Sequence, residues 1–294
     1  MCGLSVARDL GDLVGRIGRE LADAGIESAR LDARLLIAHA TARNPDDVLL
    51  RTDGVITDEQ RDRLESLVRR RKAREPMSHL LGIRGFYDLE FATSAAVLTP
   101  RPETETLVDV VLDRMPAGEV KSLRVLDLGT GSGCLVLTLL NAIPGAVGVA
   151  TDISPDALAM ASANAERTDL ADRVQFLEGV WFEALDETSD LFDVIVGNPP
   201  YIPTGDLADL EPEVREYEPH VALDGGTDGL DAYRAILAQA VRYVRPSGLI
   251  AVEVGIGQAA SVSALMHESG MTDVQVTNDL GGIGRVVSAV RPVG

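Results

Sequence analysis

Leu123-Arg124-Val125-Leu126-Asp127-Leu128-Gly129-Thr130-Gly131-Ser132-Gly133 is an apolar strand that runs into a glycine loop and then opens a helix. Glycines take positive φ and let a backbone approach a ligand closely. The unpaired N–H groups at the start of the next helix suit a carboxylate or a phosphate. The spacing is Gly-x-Gly-x-Gly. A dinucleotide fingerprint needs a further Gly or Ala at position 134, where this chain has Cys134. The loop alone marks a strand–turn–helix beside some ligand without naming it.

The pattern from residue 122 onward alternates. Strands are predicted near 123–127, 147–151, 173–177, 192–197, 248–254, 272–277 and 285–290, and helices near 133–142, 155–166, 230–244 and 257–268. Such alternation means an α/β fold, a seven-stranded and mostly parallel sheet covered on both faces. Only Gly281-Gly282-Ile283-Gly284 links the last two strands, so they should pair antiparallel. The apolar run Cys134 to Ala150 is broken by Asn141 and Pro144-Gly145, and reads as helix, turn and buried strand rather than a membrane span.

The second strand ends at Asp152, 23 residues after Gly129. An acidic residue there can accept both hydroxyls of a ribose. Ser154, just before Pro155, is the better-placed helix cap, which leaves Asp152 for a ligand. The fourth strand, Phe192 to Gly197, runs into Asn198-Pro199-Pro200-Tyr201. Neither proline has an N–H, so the Asn198 oxygen and the nearby carbonyls face outward with few local donors. Such a pocket suits a planar –NH2 group, on an amide or on a base. If the first and fourth strands are neighbours where the winding reverses, the nucleoside site and the amine pocket adjoin, as a transferase needs.

The first eighty residues read as helical. Leu10, Leu13, Val14, Ile17 and Leu21 recur at helical spacing up to Gly25; a second helix starts near Ser28 and a third at the capping-box pair Thr57 and Gln60. The third ends in Arg69-Arg70-Arg71-Lys72-Ala73-Arg74, read as a solvated helix end rather than a nucleic-acid patch. Phe86 to Phe91 reads as a strand of a hairpin, and Pro100-Arg101-Pro102 as the start of a helix.

The net charge of −19 falls wholly after residue 80, because the first eighty residues hold 14 Lys+Arg and 14 Asp+Glu. An acidic body is a poor general binder of phosphate backbones. Cys2 and Cys134 make no disulfide framework, and the four scattered histidines make no metal cluster. Met1 to Asp9 lacks the pattern of a signal peptide, and a reducing cytoplasm fits.

Taken in order, these pieces resemble a known family. They include Leu80-Leu81-Gly82, Phe86-Tyr87-x-Leu89-x-Phe91, Pro100-Arg101-Pro102-Glu103-Thr104-Glu105, the glycine loop and Asp152-Ile153-Ser154. They continue through Trp181-Phe182, Asn198-Pro199-Pro200-Tyr201-Ile202 and Ala222 to Leu230. The chain resembles the class I methyltransferases that use S-adenosyl-L-methionine, and within them the bacterial peptide chain release factor glutamine methyltransferases.

That resemblance implies an N-terminal helical domain over 1–78 that helps dock the release factor, a β-hairpin linker over 79–98, and a Rossmann-like catalytic domain over 99–294. It implies methylation of the glutamine amide in a Gly-Gly-Gln motif, with S-adenosyl-L-homocysteine as the second product and no metal. Gly129, Thr130, Gly131, Ser132 and Gly133 would hold the methionine end of the cofactor, Asp152 the ribose, and Trp181 the adenine. Asn198, Pro199, Pro200 and Tyr201 would hold the glutamine, with Asn198 also beside the cofactor. Asn198 and the Pro199 carbonyl would orient the amide, and Tyr201 would pack over it. Val180 stands where relatives carry an acid, so adenine recognition would rest on packing, on backbone or on Glu178. His79, in place of an expected tyrosine, reads as a linker residue without a catalytic part.

The expected partners are release factors, with no direct nucleic-acid or membrane contact, and the chain is expected to be a cytoplasmic monomer. Three other readings stay open: an amino-methyltransferase on adenine or cytosine, a glutamine methyltransferase of a ribosomal protein, and a cofactor-binding module without catalysis.

Overall fold

The computed structural model of the chain describes residues 10–50, 55–115, 123–186 and 191–293. The stretch Met1 to Asp9, with Cys2, lies outside the described residues. The chain divides into two compact units: residues up to Gly82 with Glu211–Tyr217, and Ile83–Leu210 with the residues from Glu218 onward.

The first unit is helical: α1 (Leu10–Asp23), α2 (Ala29–Thr41), α3 (Pro45–Leu50), α4 (Asp58–Lys72) and α5 (Met77–Leu81). Leu10, Leu13, Val14, Ile17 and Leu21 line the buried face of α1, as their spacing predicts. They share a core with Leu36, Ile37, Leu64 and Leu67. The capping box is present: Gln60 N donates to Thr57 Oγ1 at 3.2 Å and Thr57 N donates to Gln60 Oε1 at 3.0 Å. The short helices α3 and α5 were not predicted, because one or two turns carry too little periodicity to show. His79 lies on α5.

The second unit opens with β1 (Ile83–Phe86) and β2 (Leu89–Ala92), paired antiparallel. The strand expected over Phe86–Phe91 instead turns at Tyr87 and Asp88, with Tyr87 at φ 56°. Phe86 and Phe91 meet edge-on, 6.1 Å apart, in the core. The elements that follow are α6 (Glu105–Arg114), β3 (Arg124–Leu128), α7 (Cys134–Ala142), β4 (Val147–Asp152), α8 (Pro155–Arg167), β5 (Val174–Glu178) and β6 (Phe192–Gly197). After α9 (Pro212–Arg215), which belongs to the first unit, come α10 (Asp231–Tyr243), β7 (Val244–Glu253), α11 (Ala259–Glu268), β8 (Thr272–Asn278) and β9 (Gly284–Val290). Before α6, Pro102–Thr104 forms a tighter 3-10 turn rather than the α-helix start expected there.

Among the described residues the main sheet has seven strands in the order β5-β4-β3-β6-β7-β9-β8. β5, β4, β3, β6 and β7 run parallel; β9 is antiparallel to β8, as the short glycine link predicts, and also to β7. Both faces are buried. Along β3, Val125 enters the core shared with α6 and α7, while Leu126 and Leu128 enter the one shared with α10 and α11. Cys134 to Ala150 is indeed helix, turn and strand, and no described helix is long and apolar enough to cross a membrane. The chain leaves β3 for β4 and β5, then returns to β6 on the other side of β3. That reversal opens a crevice at the carboxyl ends of β3 and β6, where Leu128 pairs with Gly197.

In the first unit, the basic end of α4 is not simply a solvated helix end. Arg71 is 6% exposed; its Nε donates to Asp32 Oδ2 at 2.8 Å and its Nη1 to Glu213 Oε1 at 3.0 Å. Arg74 Nε donates to Glu213 Oε2 at 2.8 Å, and Arg70 pairs with Glu75. Arg69, Arg70 and Lys72 remain exposed, as expected.

Candidate active site

A cavity of about 570 Å³ lies at the carboxyl ends of β3, β4 and β6, within the range of small-molecule sites. The glycine loop is one wall. Gly129 N and Thr130 N both donate to Thr151 O, at 2.9 and 3.0 Å, which ties the loop to the end of β4. Beneath it, Asp127 is fully buried: Oδ2 accepts from the Thr130 hydroxyl at 2.7 Å and from Val136 N at 3.4 Å. Burial pushes its carboxyl up to about 7, against the pull of those two donors. Asp127 Oδ1 has no hydrogen-bond partner in the protein.

Asp152 closes the next side. Its Oδ2 accepts from Gly131 N and its Oδ1 from Ser154 N, each at 2.9 Å. Ser154 caps α8 by accepting from Ala157 N, as predicted. Asp152 is thus not wholly free, but a carboxylate has about four acceptor positions, so it keeps room for hydroxyl donors. Trp181 sits at φ 52° and lines the cavity, its carbonyl accepting from the Thr151 hydroxyl at 2.9 Å. Phe182 turns the other way, buried in the core and stacked 4.6 Å from Tyr243. Val180 is on the wall and 37% exposed, whereas Glu178 is not among the wall residues.

The opposite wall holds Asn198, Pro199 and Pro200. Asn198 Nδ2 donates to Thr104 Oγ1 at 3.3 Å. Tyr201 does not wall this cavity; its ring is half-buried against the core, and burial pushes its hydroxyl up to about 12. The loop after Ala222 braces the turn. Ile202 N donates to Leu223 O at 3.0 Å and Gly225 N to Ile202 O at 2.8 Å. A Cβ on Gly225 would come within 2.8 Å of the Pro200 carbonyl oxygen, so only glycine lets the two backbones meet.

Two family models match: the PrmC N-terminal domain over residues 12–82 and the Methyltransferase small domain over 102–209. A release factor glutamine methyltransferase of Rhodospirillum rubrum is 45% identical over 282 residues, 96% of this chain and 85% of that protein. The chain belongs to the release factor glutamine methyltransferase family. A relative of the same name from Caulobacter vibrioides is 43% identical over 92% of each chain. A methyltransferase structure from Pyrococcus furiosus shares the fold at a TM-score of 0.51 and 16% identity, over 71% of this chain and 92% of that one.

The methyl donor of such a family is S-adenosyl-L-methionine, and the residues that line the cavity fit it. Gly129 at φ 70° leaves the space beside the Trp181 ring that a Cβ would fill, and Asp152 offers acceptors to a ribose. Sequence reasoning missed three supporting side chains. Thr104, 2% exposed, and Glu253, 1% exposed, stand behind Asn198, with the Thr104 hydroxyl donating to Glu253 Oε2 at 2.5 Å. Asn164, fully buried on α8, donates to Ser132 O in the glycine loop and to Ala92 O, and accepts from Ala92 N. Of these, only Thr104 sat in a motif singled out by sequence, within Pro100 to Glu105.

Proposed function

We propose that this chain transfers a methyl group from S-adenosyl-L-methionine to the side-chain amide nitrogen of the glutamine in the Gly-Gly-Gln motif of peptide chain release factors. The observation that carries this reading is the Asn198 amide. It stands at the end of β6, beside the glycine loop of the neighbouring β3, with its –NH2 end held by Thr104. Its oxygen is therefore the end offered to a substrate.

When bound, the cofactor supplies an electrophilic methyl group on a sulfonium. The protein's task is to orient a poor nucleophile, because the amide lone pair is delocalised into its carbonyl. Asn198 Oδ1 accepts one amide hydrogen of the substrate and the Pro199 carbonyl accepts the other. Both bonds raise electron density on the nitrogen and aim it, and the nitrogen gives up one of its two protons to water once it carries the methyl group. Holding reactants in such geometry is worth up to about 7–11 kcal/mol. Gly129 to Gly133 hold the methionine end of the cofactor, Asp152 the ribose and Trp181 the adenine. Val180 makes the adenine end apolar, so packing rather than a charged partner holds the base there. The N-terminal helical unit docks the release factor, and the chain acts as a cytoplasmic monomer without a metal ion.

Incubation with labelled cofactor and purified release factor, followed by peptide mass mapping, tests the reading. Label is expected on the glutamine of Gly-Gly-Gln. Label on nucleic acid or a ribosomal protein alone overturns it, as does cofactor binding with no turnover on any release factor.

A further inference from the structure

We propose that Thr104 and Glu253 are positioning residues that decide which end of the Asn198 side chain faces the substrate. The inference rests on the reading that the methyl acceptor is a glutamine amide. An acceptor –NH2 brings two donors, so Asn198 serves it only with Oδ1 turned toward it. The flipped side chain would meet N–H with N–H. The two ends of an asparagine amide are nearly the same size, so packing cannot choose between them; hydrogen bonds must.

The choice is made by a chain of bonds with one polarity. A carboxylate only accepts. Glu253 Oε2 therefore takes the single proton of the Thr104 hydroxyl, at 2.5 Å. The Thr104 oxygen is left with lone pairs alone, so it must receive the –NH2 end of Asn198, at 3.3 Å. Thr104 and Glu253 are both buried, so water does not compete for these bonds. The backbone holds the chain in place. Glu253 ends β7, whose Val252 pairs with Gly197, the residue before Asn198. The Tyr233 hydroxyl donates to the Glu253 carbonyl oxygen at 2.8 Å. Thr104 closes the 3-10 turn that precedes α6.

The polarity depends on the charge of Glu253. A protonated carboxyl can donate to Thr104, which then donates to Asn198 Oδ1 and stabilises the flipped amide. Burial pushes Glu253 up to about 7; the Thr104 hydroxyl, Arg285 and Arg101 pull it down and Glu103 pushes it up. The other groups that face it are the Tyr201 and Tyr233 hydroxyls and the Cys134 thiol, all raised by burial and protonated across the neutral range. Arg285 is paired with Asp279, and Arg101 with Glu218. Among the groups facing it, Glu253 is thus the one whose charge changes near neutral pH.

The test compares wild type, Thr104→Val, Thr104→Ser and Glu253→Gln with purified release factor between pH 5.5 and 9. It reads kcat, the KM for the release factor, and cofactor affinity by calorimetry. Wild-type kcat is expected to fall on the acid side with an apparent pKa near that of Glu253, while cofactor affinity stays level. Thr104→Val should lower kcat about tenfold, the loss of one buried hydrogen bond, and Thr104→Ser should restore most of it. Glu253→Gln should lower kcat at pH 8 by a similar factor and abolish the acid limb. Wild-type kcat in Thr104→Val, or an unchanged acid limb in Glu253→Gln, overturns the proposal. A Thr104→Val protein that no longer binds cofactor leaves the decision to the Glu253→Gln pH profile, which keeps the carboxyl's shape without its charge. Wild type without turnover on release factor sinks the functional reading itself, a result distinct from any difference among the variants.

Discussion

Gly129 and Trp181 meet across the floor of the cavity: a Cβ added to Gly129 would stand 3.3 Å from the indole ring. Gly129 also sits at φ 70°, where an L side chain costs about 1–2 kcal/mol. Gly129→Ala should therefore weaken cofactor binding by about tenfold or more, because both the loop and the indole must shift. Calorimetric titration with S-adenosyl-L-homocysteine measures it, and wild-type affinity would refute the close fit.

Asn198→Ala should separate binding from chemistry. It removes the acceptor that aims the substrate nitrogen, and a misplaced reactant costs on the order of a hundredfold. Turnover should fall by at least that factor while cofactor affinity stays near wild type. Near-normal turnover would sink the orientation mechanism.

Asp152→Asn replaces one carboxylate oxygen with a donor, in a group that already accepts from Gly131 N and Ser154 N. Charge-assisted bonds are roughly twice as strong as neutral ones. The variant should bind cofactor about tenfold more weakly, with little loss of thermal stability. A nucleoside competitor lacking the 2′ and 3′ hydroxyls should discriminate poorly between variant and wild type.

Asp127 supplies a pH signature. Burial raises its carboxyl from an ordinary value near 4 to about 7, so the folded protein holds more protons than the unfolded chain between those values. Stability from this group is present at low pH and is lost as pH rises toward 7, at ~1 kcal/mol per pH unit. Asp127→Asn should therefore gain on wild type in melting temperature from pH 5 to pH 8. A gap that stays constant across that range would mean Asp127 does not titrate there.

Arg71→Ala leaves Asp32, 3% exposed, without its guanidinium partner. Stranding one member of a buried pair costs about 3–5 kcal/mol. Urea unfolding followed by circular dichroism should show an early transition from the helical unit. Lys at position 71 should recover part of the loss, since it keeps the charge but not the forked geometry.

Much of this site was legible as pattern. The strand–glycine loop–helix, the strand ending at Asp152 and the Asn-Pro-Pro-Tyr turn are local, set by side-chain period and by backbone freedom over a few residues. Their reading survives in β3, β4 and β6 with small shifts at the ends. The 3-10 turn at Pro102 and the turn at Tyr87 were not legible, because each departs from its neighbours' period over only two or three residues. The basic run showed its charge but not its use: Arg71 is buried because α2 and the segment around Glu213 bring carboxylates to it.

By itself, the sequence determined the class of fold and the order of its longer elements, since each follows from contacts between near neighbours in the chain. Tertiary structure alone decided that β3 and β6 adjoin, that Tyr201 leans on the core, and that Thr104 and Glu253 stand behind Asn198. Those two bonds join residues 94 and 149 positions apart. No period or motif marks such pairs, because only the winding of the sheet brings them within reach.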